Sequence, residues 1–455
     1  MEAIKIKEVL NVVKGEILAG DVAEKEILSV QTDSRVNMQS GLFVAIKGEN
    51  TDGHKYVESA KANGAIAVFV SDQPESFIED MLYIKVEDTQ QALKDLAKWY
   101  KSKFNIPFVA VTGSVGKTTT KDMIASVLKT KYNVLKTEGN FNSEIGVPLT
   151  LFRLNNAHDI AVIEMGMDRP GQIDAISSMV NPNIAVITNI GTAHIEFLKT
   201  RENILKAKCE VFNNLDKNGV AILNRDDDML QTVTNNFRKI WVGKTNADIT
   251  VENVRVDYIE GKVISNVCVD NKSYEMYIPG LSEHLVYSAL SAIAVGLAYK
   301  IDMEDILKGI ANYEHTKMRM DIYKLKNNIL LIDDTYNANP ASMKSVIDTV
   351  AKSGRDNKIL ILGDMFELGE ESEKSHINVL EYALKNNISQ IVTIGDNMKK
   401  AVESIKDKQS TTWYSSKEEL YNNLDNILKQ NSIIAIKASR GMRLENITEK
   451  ILERK

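Results

Sequence analysis

The chain predicts an α/β protein of three domains, and three observations carry that reading. Its 455 residues exceed what a single hydrophobic core organises. Short apolar, β-branched runs alternate with helical patterns from end to end, as βαβ units do. Many of these runs end in polar, glycine-containing segments, and in a parallel sheet such ends share one edge. The expected division is residues 1–105, 106–312 and 313–455.

Composition narrows the class. A hydrophobic share of 44% and a charged share of 26% are ordinary for a globular chain. The formal charge of -6 gives no general basic footprint, which argues against a nucleic-acid partner. No uncharged apolar stretch reaches membrane-spanning length. The first fifteen residues intersperse charges and lack the apolar core of a signal peptide. Cys209 and Cys268 lie far apart and fit a reducing compartment. A cytoplasmic monomer is the expectation.

The first domain reads as a small α/β unit without a dinucleotide fingerprint. Its densest polar stretch runs Thr32, Asp33, Ser34 and Arg35, then Lys47 and Gly48, then Asp52, Gly53 and His54, beside the strand expected over 42–46. These loops could hold a polar ligand. Turn chemistry alone favours the same residue types.

The second domain carries the sharpest motif. An apolar run, Phe108 to Val111, breaks into Gly113, Ser114, Val115, Gly116, Lys117 and Thr118 and then into a helical pattern. Glycines let backbone N–H groups approach phosphate oxygens, the lysine neutralises charge, and the Thr118 hydroxyl can reach Mg²⁺. Only two residues separate the glycines, yet Lys117, Thr118 and Thr119 at the helix start are hard to explain as a plain turn. Later strands end in Glu164, in Asn189 through His194, and in Asn224 to Asp226. Glu164 should therefore project toward Lys117 and suits a Mg²⁺ ligand, the competing reading being a surface carboxylate. His194 would sit on the same edge, though a lone histidine after a strand is usually a loop residue.

Helical spacing over 202–215 places Leu205, Lys208, Phe212 and Leu215 on one stripe, with Lys206 free to pair with Glu202 and Glu210. Lys208 is then either a snorkelling lysine at the stripe's edge or a functional one. An ammonium cannot coordinate Mg²⁺. A carbamate formed from the neutral amine and CO₂ could, and burial favours the neutral amine. Polar residues around Asn140 and Asn142 suit a substrate-facing loop. Alternation over 251–258, 262–269 and 274–278 predicts an antiparallel excursion, followed by a helix over 283–299.

The third domain alternates strands (329–332, 359–362, 391–394 and 433–436) with helices and has no phosphate loop of its own. It reads as a doubly wound, Rossmann-like sheet. Its strand ends gather Asp333 to Asn339, Gly363 to Gly369, and Lys437 to Gly441. Such clusters can be caps and turns, but three on one edge are harder to dismiss.

The segments TGSVGKTTTK, GNFNSEIGVPLTL, VIEMGM, TNIGTAHIEF, AKCEVF, IDDTYNANPASM, LGDMFELG and KASRGMRLE, in this order, resemble the Mur ligase family over nearly the whole chain. TDSR and LFVAIKGENTDGH are similar to its uridine-nucleotide-binding module. The resemblance implies a central P-loop ATPase domain with a mostly parallel sheet. It also implies an ATP- and Mg²⁺-dependent ligase of peptidoglycan synthesis. DDTYNANPASM points to the type that joins D-alanyl-D-alanine to UDP-N-acetylmuramoyl-tripeptide. The rival types are the sibling that adds lysine or diaminopimelate, folylpolyglutamate synthetase, and a non-catalytic relative.

By the same resemblance, Gly113, Ser114, Val115, Gly116, Lys117, Thr118, Thr119, His284, Arg319 and Asp334 would bind ATP. Thr118 and Glu164 would hold one Mg²⁺; His194 and carbamylated Lys208 would hold a second. Ser34, Arg35, Lys47, Asp52 and His54 would meet the UDP-sugar, and Asn140, Asn142, Tyr336, Asn337 and Asn339 the peptide parts. Lys117, His194, Lys208 and Asn337 are the candidate catalytic residues. The family's usual asparagines after His284 are replaced by Leu285 and Ser288, so the adenine contacts depart from the pattern.

Overall fold

All five residues of the strand Phe108–Thr112 are buried, because both faces of its sheet are covered. Val109 and Val111 pack into the core on one face, while Phe108 and Ala110 enter the core on the other, as the two-residue period of a strand requires. The strand sits inside a nine-stranded sheet. From one edge the order runs Val134–Lys136, Ile160–Glu164, Phe108–Thr112, Ile184–Ile187, Val220–Asn224, Arg238–Gly243 and Ile249–Asp257, all parallel. Lys262–Val269 and Lys272–Pro279 then close it antiparallel, so the expected antiparallel excursion extends the central sheet. The computed structural model describes residues 1–22, 25–48, 51–406 and 408–454. Residues 49 and 50 of the first domain's polar stretch, and the last residue of the third domain, lie outside it.

Three helices cover one face of this sheet: Lys117–Leu128, Leu285–Ala298 and Met303–Ala311. They approach closely because Gly309 faces the backbone of Val127; a Cβ at Gly309 would lie 2.7 Å from Val127 Cα. The helix that begins at the phosphate loop is thereby wedged in place. On the opposite face, Gln172–Val180 packs beside Thr89–Ser102 of the first domain, and the two domains share one apolar core. The Tyr100 hydroxyl donates to Leu154 O at 2.7 Å across that junction.

The first domain holds a five-stranded sheet ordered Glu16–Ala19, Leu82–Lys85, Ala65–Val70, Gly41–Val44 and Ser29–Gln31, parallel except for its first pair. The third domain holds six strands ordered Asp321–Leu325, Ile329–Asp333, Ser432–Lys437, Asn357–Gly363, Gln390–Ile394 and Thr411–Tyr414. Only the first pair is antiparallel. Apolar clusters lie on both faces beneath helices, which is the doubly wound arrangement.

The helical stripe expected over 202–215 needs correction. The α-helix Arg201–Cys209 stops there and passes into a 3₁₀ turn, Glu210–Asn214. Glu210 does not pair with Lys206. Its carboxylate accepts from Gly171 N at 2.7 Å and Asp174 N at 3.2 Å, satisfying donors at the N-terminus of Gln172–Val180. That local demand outweighs a weak surface ion pair.

Substitution Gly309→Ala should cost about 1–3 kcal/mol through overpacking against Val127. A lowered unfolding midpoint in denaturant checks this; an unchanged midpoint would show that the helices are free to separate.

Candidate active site

The strand Phe108–Thr112 feeds directly into the loop 113–116. Gly113 has φ +147°, and a Cβ there would lie 1.9 Å from Thr188 Oγ1; Gly116 has φ +82°. Both positions therefore require glycine. The neighbouring strand end buttresses the loop. Ser114 N–H donates to Asn189 O at 3.0 Å, and Val115 N–H to Asn189 Oδ1 at 3.0 Å. Thr188 Oγ1 and Asn189 Nδ2 both donate to Val115 O, at 2.7 and 2.9 Å. The first helical backbone bond runs from Thr120 N–H to Gly116 O at 2.9 Å. The N–H groups of Lys117, Thr118 and Thr119 consequently point out of the helix end, where the helix dipole also favours an anion. Lys117 Nζ donates to Gly113 O at 2.9 Å, which holds its ammonium over the loop.

Glu164 ends the adjoining strand and is 1% exposed. Its Oε1 accepts from Asn142 Nδ2 at 2.8 Å, whereas Oε2 is buried with no hydrogen-bond partner. A buried carboxylate oxygen left unpaired is costly unless a cation or donor meets it. Lys208 is equally buried. Desolvation, and then the charge of Lys117, push its amine well below the ordinary lysine range. Burial also lowers Lys117, with Glu164 opposing and Arg319 reinforcing the shift.

His194 caps the short helix Ile195–Leu198 in the left-handed conformation, φ 62°. Its Nδ1 lies 3.0 Å from Glu367 Oε2 of the third domain, close enough for attraction but out of line for a good hydrogen bond. This contact holds the Glu367 carboxyl below the usual range against its partial burial. Glu367 is a site residue that sequence reasoning had left inside a general strand-end cluster.

The third domain lays its strand ends over the loop. The Arg319 guanidinium stands 4.1 Å above the Tyr336 ring, and its Nε is buried without a partner. Asp334 pairs with Lys437 at 2.5 Å, and Lys437 also donates to Asn337 O at 2.8 Å. Asn339 Oδ1 accepts from Ser342 N at 2.9 Å and caps the helix Pro340–Ala351. Its carboxamide oxygen thus serves the fold, while the residue also lines two of the cavities around Lys117. On the other flank, Ser288 Oγ lies 2.9 Å from Thr120 Oγ1, and Tyr287 donates to Asp226 at 2.9 Å. Burial depresses the pKa of neighbouring His284.

Connected cavities surround Lys117. One of about 410 Å³ is lined by Lys117, Asn142, Glu164, His194, Arg319 and Tyr336. One of about 200 Å³ takes in Thr118, Thr119, His284, Asp334 and Asn337. A third, of about 300 Å³, shares Asn140 and Glu367 with the first and Asn339 with the second. Lys208 lines none of them.

The first-domain candidates form a separate group that lines none of these cavities. Arg35 grips Asp33 with both arms of its guanidinium, at 2.9 and 2.7 Å. Lys47 pairs with Asp72. Asp52 accepts from His54 N at 3.0 Å and from His54 Nδ1 at 2.6 Å, while His54 Nε2 accepts from Ser71 N at 3.0 Å. Ser34 O accepts from Asn63 Nδ2 at 2.8 Å.

Among the described residues, no three His, Cys, Asp or Glu side chains converge as a ready metal cage. The Glu164 oxygen, the Thr118 hydroxyl and the phosphate cradle instead fit Mg²⁺, which takes few protein ligands and completes its shell with phosphates and water.

Three family profiles match the chain: "Mur ligase family, catalytic domain" over residues 26–101, "Mur ligase middle domain" over 111–296, and "Mur ligase, glutamate ligase domain" over 318–440. The UDP-N-acetylmuramoyl-tripeptide--D-alanyl-D-alanine ligase of Bacillus subtilis is 37% identical over 452 residues, covering 98% of each chain. A MurF structure from Acinetobacter baumannii superposes with a TM-score of 0.92 at 29% identity, covering 100% of this chain and 99% of the other. MurF from Thermotoga maritima, solved in complex with ADP, gives 0.83 at 26% identity, covering 94% and 98%.

Lys208→Met should report the buried amine through stability. Between its lowered folded value and about 10.4 the unfolded chain binds a proton at Lys208 that the folded chain does not. This group alone therefore makes the folded protein gain stability as pH rises, by at most about 1.4 kcal/mol per pH unit. In CO₂-depleted buffer the variant should lose that slope and unfold at a higher temperature at neutral pH. An unchanged slope would mean that Lys208 is charged when folded.

Proposed function

The chain belongs to the Mur ligase family, and we propose that it joins D-alanyl-D-alanine to UDP-N-acetylmuramoyl-tripeptide with ATP, giving the pentapeptide precursor of peptidoglycan. The carrying observation is the 410 Å³ cavity, in which the phosphate-loop lysine, the half-paired Glu164 and third-domain Tyr336 meet. A phosphate site opening onto a wall from another domain suits a transfer between two bound substrates. The similarity to UDP-N-acetylmuramoyl-tripeptide--D-alanyl-D-alanine ligases along nearly the full length supports this choice over the sibling activity.

A carboxylate resists attack by an amine because oxide is a poor leaving group. In the proposed reaction the terminal carboxylate of the tripeptide attacks the γ-phosphorus of ATP, ADP departs, and an acyl phosphate forms. The amine of D-alanyl-D-alanine then attacks the acyl carbon, and phosphate leaves as the amide forms. Lys117 and the N–H groups at the helix end neutralise and orient the β- and γ-phosphates. Arg319, Asp334 and His284 hold the nucleotide from the flanks. Thr118 and Glu164 would hold one Mg²⁺, and His194 and a carbamate on Lys208 would hold a second; when bound, such ions would offset the repulsion between triphosphate and carboxylate. The lowered pKa of Lys208 favours its reaction with CO₂, in which the nitrogen lone pair forms the N–C bond and a proton is released. Asn140, Asn142, Tyr336 and Asn337 position the peptide ends. The first-domain group of Ser34, Arg35, Lys47, Asp52 and His54 takes the uridine-nucleotide end, well apart from the chemistry. An ATP-driven reaction of this kind places the enzyme in the cytoplasm.

Phosphate release with UDP-N-acetylmuramoyl-tripeptide and D-alanyl-D-alanine should be ATP-dependent. It should be absent with UDP-N-acetylmuramoyl-dipeptide plus lysine or diaminopimelate. Turnover only with the second pair would move the chain to the sibling activity, and turnover with neither would leave it a nucleotide-binding relative.

A further inference from the structure

We propose that Asp122 and Thr316 form a strut by which the phosphate-loop helix sets the interdomain hinge, both acting as positioning residues for Arg319. Asp122 lies one helical turn beyond Thr118 and is 4% exposed. Its Oδ1 accepts from Lys136 Nζ at 2.6 Å and lies 3.0 Å from Lys121 Nζ. Its Oδ2 accepts from the Thr316 hydroxyl. Lys121 donates onward to Thr137 O at 2.8 Å, and the Thr137 hydroxyl accepts from Glu164 N at 3.0 Å. One buried carboxylate is thus linked both to the strand end that presents Glu164 and to the segment that leads into the third domain.

That segment is strained and held from two sides. Met318 and Met320 adopt left-handed conformations, φ 62° and 60°, which cost free energy unless neighbours fix them. On the third-domain side, Met318 N–H donates to Asp321 Oδ2 at 2.7 Å, and Met318 O accepts from Tyr336 N at 3.1 Å. On the second-domain side two side chains anchor it: His315 Nε2 lies 3.0 Å from Pro279 O, and Thr316, whose hydroxyl meets Asp122, accepts at its carbonyl from Arg319 N at 3.2 Å. Arg319 then reaches over Tyr336 into the cavities, which neither Asp122 nor Thr316 lines.

Two lysines supply the counter-charge for Asp122. Burial pushes its carboxyl up, but Lys121, Lys136 and the Thr316 hydroxyl together hold it below the ordinary value. Thr316 adds no counter-charge; what it adds is a fixed direction for the hinge. A network confined to compensating Asp122 would not need it.

The proposal rests on the nucleotide role given to Arg319 above, and ATP affinity measured calorimetrically on the full chain tests both. Thr316→Val keeps the branched shape and removes only the hydroxyl. It should weaken ATP binding about tenfold, the scale of one hydrogen bond to a charged group. The KM for ATP should rise with it, while the KM for the UDP-linked substrate stays unchanged. Thr316→Ser should restore affinity to within about twofold. The double variant Asp122→Asn with Thr316→Val should bind no more weakly than Asp122→Asn alone, as coupled residues do. Arg319→Ala should weaken binding at least as much as Thr316→Val. Normal affinity in Thr316→Val beside a weakened Arg319→Ala would overturn the strut, and so would equal impairment in the valine and serine variants. Normal affinity in Arg319→Ala would overturn the nucleotide role of Arg319 and the strut with it.

Discussion

Burial of Lys208 within the field of Lys117 is the constraint on which the site depends. Two amines and one carboxylate occupy a poorly solvated region, and desolvation opposes charging both amines there. Lys117 retains the partners that suit an ammonium: the Gly113 carbonyl and the field of Glu164. Lys208 meets further positive charge from Lys117, which together with burial weakens its hold on a proton and favours its reaction with CO₂. The same desolvation leaves one Glu164 oxygen waiting for a cation. The site is therefore poorly satisfied by itself and well matched to what it is proposed to bind.

The surrounding architecture keeps these groups in that state. The parallel strands place Thr112, Glu164, Thr188 and Asn224 at one edge, and Asn189 ties the phosphate loop to the neighbouring strand end. Helices wedged by Gly309 prevent the loop helix from sliding away. The third domain supplies the lid side, through Arg319 over Tyr336, Asp334 with Lys437, and Glu367 against His194. Water is displaced where charge would develop, which strengthens every fixed charge that remains.

Much of this was legible in the sequence, for identifiable reasons. Strands buried on both faces leave continuous apolar runs, so Phe108–Thr112, Ile160–Glu164 and Ser432–Lys437 announce themselves. Edge strands do not. Val134–Lys136 spans only three residues, and Asp321–Leu325 and Thr411–Tyr414 are partly exposed with mixed polarity. Lys208 was singled out by an apolar stripe, and its burial agrees, although the helix ends at Cys209. Residues such as Arg35 and Asn339 resist reading, because groups that bind ligands also cap helices and fork onto neighbours. Long-range partners stay invisible in one sequence: Thr316 and Asp122 stand 194 positions apart, and only the fold brings Glu367 to His194.

The most direct test of the central claim is ¹³C NMR of the chain equilibrated with ¹³C-labelled bicarbonate and Mg²⁺. A carbamate carbonyl resonance that is present in the native chain and missing from Lys208→Ala would show the neutral buried amine capturing CO₂. A spectrum without that resonance, from protein that still turns over, would contradict the account and return Lys208 to a packing role.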